Sequence, residues 1–260
     1  MECIVVKVRN RCVVVTGAAS GIGAALARRL RQHEAKNVIC ADIDFDGAQR
    51  VAEEIGGIAL ELDVSNESDL KGLIDQVETT IAPIDLFCSN AGVLTMGGLD
   101  VSDDLWQRSW EINVMSHVWA ARHLVPRMVQ RGGGYFLNTA SAAGLLNQIG
   151  AAPYGVTKHA AVGFAEWLAI TYGDKGIGVS VLCPQAVRSE MTKGFENSVA
   201  SLDGLLEPDD VANFTIEALK NKEFLILPHP AVRGYMETKA RDTQRWISGM
   251  QRLRDRFSQV

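Results

Sequence analysis

The chain alternates short runs of β-branched and apolar residues with longer stretches whose apolar side chains recur at helical spacing. The short runs predict strands at Arg11–Thr16, Asn37–Asp42, Ile58–Asp63, Ile84–Ser89, Gly134–Thr139, Val179–Cys183 and Phe224–Leu227. The longer stretches predict helices at Ile22–His33, Asp46–Ile55, Glu67–Ile81, Asp103–Arg131, Tyr154–Gly173 and Pro208–Asn221. Because nearly continuous apolar strands must be covered on both faces, we expect a parallel sheet between two layers of helices.

Two regions depart from this alternation. Gln185–Leu206 mixes polar and apolar residues after a strand and predicts an active-site loop with a short helix. Residues 230–260 predict a basic amphipathic helical extension that packs on its own domain or on another subunit. The apolar positions expected on one face of that helix are Met236, Ala240, Ile247, Met250 and Phe257. With no linker or repeat in the sequence, we expect residues 1–260 to form a single domain.

Composition and charge narrow the function. The net charge of −5 argues against a general nucleic-acid surface, and no apolar run approaches the roughly 20 residues of a membrane span. The N-terminus lacks the features of a signal peptide, so we expect a cytoplasmic protein. The histidines have no partner set typical of a metal site, and we expect no metal. The cysteines lack Cys-x-x-Cys spacing and are expected to be buried free thiols: Cys3, Cys12, Cys40, Cys88 and Cys183.

A glycine-rich turn, Thr16-Gly17-Ala18-Ala19-Ser20-Gly21-Ile22-Gly23, joins the first strand to the first helix. Glycines at such a junction permit a tight turn, close approach of the backbone to a pyrophosphate and close packing of helix on strand. The free N–H groups at the helix N-terminus favour an anion there. The turn therefore predicts a dinucleotide site on a Rossmann-type doubly wound sheet.

Asp42 ends the second strand, about twenty residues beyond the turn, where a carboxylate binds the adenosine ribose in dinucleotide-binding folds. Its charge would repel a 2′-phosphate, and the neighbouring Ser20 and Ile43 provide no cation. The sequence therefore favours NAD over NADP. The alternative role for Asp42, capping the next helix, suits Asp44 better.

Tyr154 and Lys158 are four residues apart on a predicted helix, so their side chains share one face. An ammonium group beside a phenol favours the phenolate, and we expect it to lower the tyrosine pKa from about 10 towards the range of a general acid/base. Taken alone, the pair is a weak signal, and an isolated pair of this kind more often belongs to a solvated helix face.

In register, these motifs resemble the short-chain dehydrogenase/reductase family from about Arg11 to Leu227. The resemblance also rests on Asp63-Val64, Asn90-Ala91-Gly92, Asn113 in Glu-Ile-Asn-Val, Ser141, and Pro184 with Val187. It implies that Asn113, Ser141, Tyr154 and Lys158 are catalytic. It implies that the cofactor is bound by Gly17, Ser20, Gly21, Ile22, Gly23, Asp42, Asp63, Val64, Asn90, Ala91, Gly92, Tyr154, Lys158, Pro184 and Val187.

The roles implied by the resemblance are distinct. Tyr154 would exchange a proton with the substrate oxygen, and Ser141 would hydrogen-bond that oxygen. Lys158 would lower the tyrosine pKa and bind the nicotinamide ribose, while Asn113 would hold a water that links Lys158 to solvent. We therefore expect an NAD-dependent enzyme that interconverts a secondary alcohol and a ketone. The resemblance also implies a homodimer or homotetramer, with the interface formed by Asp103–Arg131 and Tyr154–Gly173.

Several positions differ from the family pattern or bear on the substrate. Gln185 stands where the family usually has glycine, and it could hydrogen-bond the carboxamide or the substrate. His229, between two prolines, is expected in a turn. The segments that border the pocket in this family are mostly apolar, with Arg188 as the evident cation, and so favour an apolar substrate. These positions are Leu94, Met96, Leu145, Leu146, Ile149, Met191 and Phe195.

Two other classes of function remain open on the sequence. One is a non-enzymatic NAD(H)-binding regulator on the same fold, which would not need the complete set of Asn113, Ser141, Tyr154 and Lys158. The other is a different Rossmann-like enzyme such as a methyltransferase, which would bind another nucleotide and have no use for the tyrosine–lysine pair.

Overall fold

The computed structural model of the protein describes residues 8–194 and 198–257. Its strands are β1 (Cys12–Thr16), β2 (Asn37–Asp42), β3 (Ile58–Glu61), β4 (Leu86–Ser89), β5 (Gly134–Thr139), β6 (Ile177–Leu182) and β7 (Leu225–Ile226). They form one seven-stranded sheet in the order β3-β2-β1-β4-β5-β6-β7, and every neighbouring pair is parallel. The predicted α/β fold with a Rossmann-type doubly wound sheet is confirmed.

Within the described residues, ten α-helices connect or follow the strands. They are α1 (Gly21–Gln32), α2 (Phe45–Ile55), α3 (Glu67–Gln76), α4 (Asp103–Trp110), α5 (Ser116–Gln130), α6 (Ala143–Leu146), α7 (Ala152–Tyr172), α8 (Pro208–Lys220), α9 (Ala231–Arg241) and α10 (Thr243–Phe257). Short 3₁₀ turns occupy Gly173–Lys175, Glu190–Thr192 and Val199–Ser201. No helix within the described ranges is both long and apolar enough to cross a bilayer.

Two hydrophobic cores lie on opposite faces of the sheet. Alternate residues of β1 point to different cores: Val14 packs in the core beneath α3, α5 and α7, whereas Val13 and Val15 pack in the core beneath α1, α2 and α8. The strand order reverses between β1 and β4, so their connections leave on opposite sides and open a crevice at the carboxyl ends. The glycine-rich turn and the residues after β4 therefore meet at that crevice.

Two predicted helices contain π-helical stretches. The predicted Glu67–Ile81 helix is α3 followed by a π-helical turn at Val77–Ile81. The predicted Asp103–Arg131 helix is α4, a π-helical stretch at Glu111–Met115, and α5. Hydrophobic periodicity does not show such a stretch, because a single widened turn is hard to distinguish from the ordinary irregularity of an amphipathic pattern. The second stretch carries Asn113.

The C-terminal extension is two helices instead of the single predicted helix. The break falls at Asp242, whose backbone is not helical (φ −151°, ψ 87°), and its carboxylate accepts a hydrogen bond from the Arg245 backbone N–H at 2.9 Å. An aspartate at a helix start satisfies a backbone donor that has no intrahelical partner, which favours a new helix there. Lys239 Nζ donates to the Leu145 carbonyl at 2.5 Å, and Val232 is fully buried. The extension therefore packs on the same chain.

Candidate active site

The glycine-rich turn forms the floor of a groove of about 360 Å³ at the carboxyl ends of the strands. Gly17 has φ +66°, and a Cβ atom there would lie 2.9 Å from Ala91 Cα. A Cβ atom on Gly23 would lie 2.0 Å from the Gly17 carbonyl oxygen. The Ser20 side chain makes no hydrogen bond that caps α1. Glycine is therefore required at both positions, and the turn leaves the N-terminus of α1 open to a ligand. This arrangement fits a pyrophosphate group.

Asp42 lies at the end of β2 beside this turn. Its Oδ2 accepts a hydrogen bond from the Ala19 backbone at 2.9 Å, and its Oδ1 accepts one from the Asp44 backbone at 3.0 Å. Asp44, not Asp42, caps α2, accepting from the Gly47 backbone at 3.0 Å, as the sequence favoured. The Asp42 carboxylate therefore links the end of β2 to the glycine-rich turn by hydrogen bonds. It also borders the groove.

Asn90 joins three strands at the crevice. Its Nδ2 donates to the Thr16 carbonyl at 3.1 Å, and its Oδ1 accepts from Thr139 Oγ1 at 3.1 Å. The Thr16 hydroxyl also accepts the backbone N–H groups of Asn90 and Ala91 at 3.0 and 3.1 Å. Sequence reasoning missed both threonines, because a threonine at the end of a strand is too common to indicate a site.

All fifteen residues predicted to bind the cofactor border this one groove. Asp63 does so while its Oδ1 accepts from the Ser65 backbone and hydroxyl at 2.9 and 2.7 Å. The groove also includes Arg108 on α4, which sequence reasoning missed because an exposed helical arginine carries no signal of its own.

Tyr154, on the first turns of α7, borders both this groove and a second cavity of about 500 Å³. Ser141 borders the second cavity, and its Oγ accepts from the Ala143 backbone at 3.1 Å and donates to the Pro184 carbonyl at 3.3 Å. Burial raises the pKa of Tyr154, and a hydrogen bond with Ser141 acts in the opposite direction. The phenol and the serine hydroxyl therefore meet at the junction of two cavities.

Lys158 lies one helical turn below the tyrosine. Its Nζ donates to the Thr139 carbonyl at 3.1 Å and lies 5.8 Å from the centroid of the Tyr154 ring. Burial lowers the pKa of Lys158 to about 8. The expectation that Lys158 lowers the pKa of Tyr154 was wrong for this arrangement: both groups are buried, and burial disfavours the charged form of each.

Asn113 is fully buried in the π-helical stretch and borders neither cavity. Its Oδ1 accepts from the Val93 backbone at 2.9 Å, and its Nδ2 donates to the Val93 carbonyl at 3.0 Å and to Thr157 Oγ1 at 3.1 Å. A Cβ atom on Gly92 would lie 3.2 Å from both Asn113 Oδ1 and Lys158 Nζ. Asn113 thus fixes the loop after β4 next to the lysine.

Gln185 follows Pro184 in the loop after β6 and borders both cavities. Its backbone N–H donates to His229 Nδ1 at 3.2 Å, and its side-chain Nε2 donates to Asp203 Oδ2 at 3.0 Å. His229 lies in a bend after β7, as expected for a turn residue, and it is also buried: its ring accepts the hydrogen bond that supports the Gln185 backbone after β6.

The second cavity is largely apolar. Some of the residues expected in its wall border it, and others do not. Leu94, Met96, Leu146 and Met191 border the cavity, whereas Leu145 and Ile149 do not. Phe195, like Cys3, lies outside the described residues. Arg188 is not part of the cavity wall, and its Nε donates to Glu207 at 2.7 Å.

Helices α9 and α10 form one wall of the second cavity, which sequence reasoning left open. Tyr235 hydrogen-bonds Asp203 Oδ1 at 2.9 Å, and its ring lies 6.3 Å from that of Trp246. Tyr235 and Trp246 both border the cavity. The other wall residues from these helices are Thr238, Arg245, Gly249, Met250, Arg252, Leu253 and Arg256. Among residues 8–194 and 198–257, no group of His, Cys, Asp and Glu side chains could hold a metal ion.

Comparison with known proteins assigns the family. Residues 11–199 match the family model for short chain dehydrogenases. The chain therefore belongs to the short-chain dehydrogenase/reductase family of oxidoreductases, which bind NAD or NADP. It is 33% identical to 1-deoxy-11-beta-hydroxypentalenate dehydrogenase of Streptomyces exfoliatus, over 92% of this chain and 90% of that protein. It is 30% identical to cyclohexanol dehydrogenase of an Acinetobacter species, over 79% of this chain and 86% of that protein.

Solved structures agree with the fold. A short-chain dehydrogenase/reductase from Burkholderia phymatum in complex with NAD superposes with a TM-score of 0.85 at 27% identity, covering 92% of this chain and 95% of that one. A short-chain dehydrogenase from Sphingobium yanoikuyae in complex with NADPH superposes with a TM-score of 0.75 at 26% identity, covering 89% and 93%. The relatives are dehydrogenases of hydroxyl groups, and the two complexes differ in cofactor.

Proposed function

We propose that the protein is an NAD-dependent oxidoreductase that interconverts an apolar secondary alcohol and its ketone. The observation that carries the proposal is the position of Tyr154, whose side chain borders both the glycine-lined groove and the separate, largely apolar cavity. A dinucleotide in the groove and a hydroxyl compound in the cavity would meet at this phenol. The residues around the groove fit a dinucleotide, because the turn approaches its neighbours too closely for side chains: a Cβ atom at Gly17 would clash with the Ala91 backbone, and one at Gly23 with the Gly17 carbonyl oxygen.

Four residues of the chain have different roles in the proposed reaction. Tyr154 takes the hydroxyl proton during oxidation and returns it during reduction. Ser141 hydrogen-bonds the same substrate oxygen and stabilises the charge that develops there. Lys158 provides a buried amine one turn from the phenol, and Asn113 holds the loop that packs beside that amine. The bound nicotinamide supplies or accepts the hydride.

Asp42 supports a preference for NAD. Its carboxylate is fixed at the edge of the groove by two backbone N–H groups, and Ile43 beside it is 61% exposed. A 2′-phosphate in that position would meet a negative charge and an apolar side chain. NADPH should therefore bind about tenfold more weakly than NADH, a difference of about 1.4 kcal/mol. Titration of intrinsic fluorescence with each reduced dinucleotide measures it, and equal affinities would contradict the preference.

Replacement of Tyr154 by phenylalanine tests the mechanism. The variant should bind NADH like the unaltered protein, because the ring is kept, and should lose turnover by about a hundredfold or more, because the proton-transferring hydroxyl is gone. The measurement is a screen of secondary alcohols with NAD, followed as NADH formation. Tyr172→Phe removes a hydroxyl from the far end of the same helix and is the matched control.

The outcomes of that screen separate the remaining functions. Equal turnover by Tyr154→Phe and the unaltered protein would contradict the assigned role of the phenol. Tight NADH binding without turnover of any alcohol or ketone would favour the non-enzymatic regulator. Binding of S-adenosylmethionine in place of NADH would favour a methyltransferase.

We also propose that the protein assembles as a homodimer or homotetramer through α4, α5 and α7. The family resemblance supports this, and so do the apolar side chains that α7 exposes. Val156, Trp167 and Ile170 are 46%, 52% and 82% exposed.

A further inference from the structure

We propose that the substrate of this enzyme, apolar around its hydroxyl, carries an anionic oxyacid group, a carboxylate or a sulfate, at its remote end, and that an arginine stripe on α10 binds this group. The stripe consists of Arg245, Arg252 and Arg256, all of which border the second cavity. The inference rests on the proposed function, since that function places the hydroxyl at Tyr154 in the same cavity.

The spacing of the wall residues shows how α10 faces the cavity. Arg245, Gly249, Arg252 and Arg256 follow one another at i, i+4, i+7 and i+11, which places them along one line of the helix. The apolar wall residues Trp246, Met250 and Leu253 form the neighbouring line at the same spacing. One helix therefore presents an apolar surface and a basic edge to the same cavity.

Gly249 leaves room within the basic edge. A Cβ atom at this position would meet only Arg252 Nη2, at 3.8 Å, so the Arg252 guanidinium leans back across the glycine. The edge extends about 16 Å from Arg245 to Arg256 at the usual helical rise. It is therefore long enough to accept an anionic group at the rim while the apolar part of the ligand packs deeper.

The three guanidinium groups are available for a ligand. Within residues 8–194 and 198–257, no carboxylate forms an ion pair with any of them, whereas Arg254 on the same helix lies 2.7 Å from Asp255. Asp203 is an acidic residue of the cavity wall, and both of its oxygens accept hydrogen bonds, from Tyr235 at 2.9 Å and Gln185 at 3.0 Å. The wall residues that the structure describes thus carry three positive charges against one engaged negative charge.

The charge of the whole chain sharpens this contrast. The protein has a net charge of −5, yet residues 233–257 carry seven Lys/Arg against three Asp/Glu. A negatively charged substrate would be repelled by most of the surface and attracted to this cavity. Arginine binds planar oxyacid groups with two parallel hydrogen bonds, which gives both affinity and orientation. The orientation would direct the opposite, hydroxyl-bearing end towards Tyr154 and Ser141.

Matched pairs of charged and neutral ligands test the proposal by binding alone. The probes are lithocholate and its methyl ester, a fatty acid hydroxylated at its penultimate carbon and its methyl ester, and dehydroepiandrosterone sulfate with its parent steroid. Calorimetric titrations are run with and without NADH, so that a defect in cofactor binding does not hide the result. At least one anion should bind about tenfold more tightly than its neutral partner, and the preference should weaken in high salt.

Two variants show whether the arginine stripe is responsible. The double variant Arg252→Gln, Arg256→Gln, which leaves only Arg245 of the stripe, should remove most of the preference for the anion and leave the affinity for the neutral partner unchanged. Arg254→Gln makes the same change on the same helix outside the cavity wall and should keep the preference. Because all three side chains are exposed, each variant should fold, which circular dichroism checks.

Several results would overturn the inference. They are the binding of none of the anions, equal affinity for anion and neutral partner, and an equal effect of Arg254→Gln and the double variant. A preference for anions without turnover of any probe would leave the arginine site standing and count against the dehydrogenase function. Turnover of neutral alcohols without any preference for the anion would support the dehydrogenase function and contradict the arginine site.

Discussion

Burial of the ionisable Lys158 side chain should make the free energy of unfolding depend on pH. Its pKa is lowered from 10.5 to about 8 by burial. Because the unfolded chain binds more protons than the folded chain between these values, the cost of burying the ammonium is fully present below pH 8 and is lost as the pH rises towards 10.5. The resting enzyme therefore contains a destabilising charge at its centre.

The variant Lys158→Met removes this charge and should remove the pH dependence that belongs to it. The free energy of unfolding of the variant minus that of the unaltered protein should fall by about 2 kcal/mol between about pH 7 and pH 9.5. Urea unfolding without nucleotide measures it at both pH values. The buried thiols and Tyr154 also titrate, but they are common to both proteins and cancel in the difference. A difference that does not change with pH would contradict the shifted pKa.

For single residues, the sequence predicts contacts between positions close together in the chain and misses contacts between positions far apart in the chain. The cap formed by Asp44 could be predicted because its partner, Gly47, is three residues away. The support of Gln185 by His229 could not, because the two are separated by 44 residues and meet only when β7 pairs with β6. The family resemblance named the reactive groups, whereas the direction of the Tyr154 pKa required knowledge of its burial.

Among the elements, the turn between β1 and α1 has the least freedom to change. A Cβ atom on Gly23 would lie 2.0 Å from the Gly17 carbonyl oxygen, which belongs to the backbone and cannot move away as a flexible side chain could. Gly23→Ala should therefore shift the start of α1, weaken NADH binding by about tenfold or more and lower the free energy of unfolding by about 1–3 kcal/mol. Dinucleotide titration and urea unfolding measure the two effects.

Gly72→Ala is the matched control for that variant. Gly72 lies in the exposed interior of α3, where an added Cβ atom meets nothing within 4 Å. The change should leave NADH binding unaltered and raise the free energy of unfolding by about 0.5–1 kcal/mol, because alanine favours a helix over glycine. If Gly23→Ala bound NADH as the control does, close approach at the turn would not be required.

Element types were predicted well from periodicity, while helix interruptions were not. The predicted Asp103–Arg131 helix has the right extent, yet its π-helical stretch at Glu111–Met115 sets the position of Asn113. The prediction of a single C-terminal helix was wrong because a heptad-like apolar spacing continues across Asp242 even though the backbone there is not helical. A polar residue that can cap a new helix was the available signal, and it is a weak one.

Across the whole molecule, the C-terminal helices complete the cavity that the Rossmann-type core leaves open. Residues 11–199 match the family model, whereas α9 and α10 lie beyond that match. These helices nevertheless provide Tyr235, Trp246 and the arginine stripe to the cavity that contains Ser141 and Tyr154. On the proposed function, the general chemistry would reside in the core that matches the family model, and the features that select a substrate would come from the helices beyond that match.

Helix α7 has an exposed apolar face through which we expect two copies of the protein to associate. Val156, Gly163, Trp167 and Ile170 follow one another at i, i+7, i+11 and i+14 and so lie along one line of the helix. Ile170 is 82% exposed, and Trp167 stacks on Phe164 with ring centroids 6.0 Å apart. A rigid apolar line of this kind costs free energy in water, and a second copy of α7 would cover it.

Ile170→Arg should therefore shift the protein towards smaller species. A guanidinium group in the centre of a dry helix–helix contact lacks a partner, and its burial is costly enough to oppose association. Sedimentation equilibrium should give a dimer or tetramer for the unaltered chain and a lower mass for the variant. Leu99→Arg, at a fully exposed position outside the helices, makes the same change and should keep the original mass. A monomeric unaltered chain would contradict the assembly, and an unchanged mass for Ile170→Arg would place the interface on another surface.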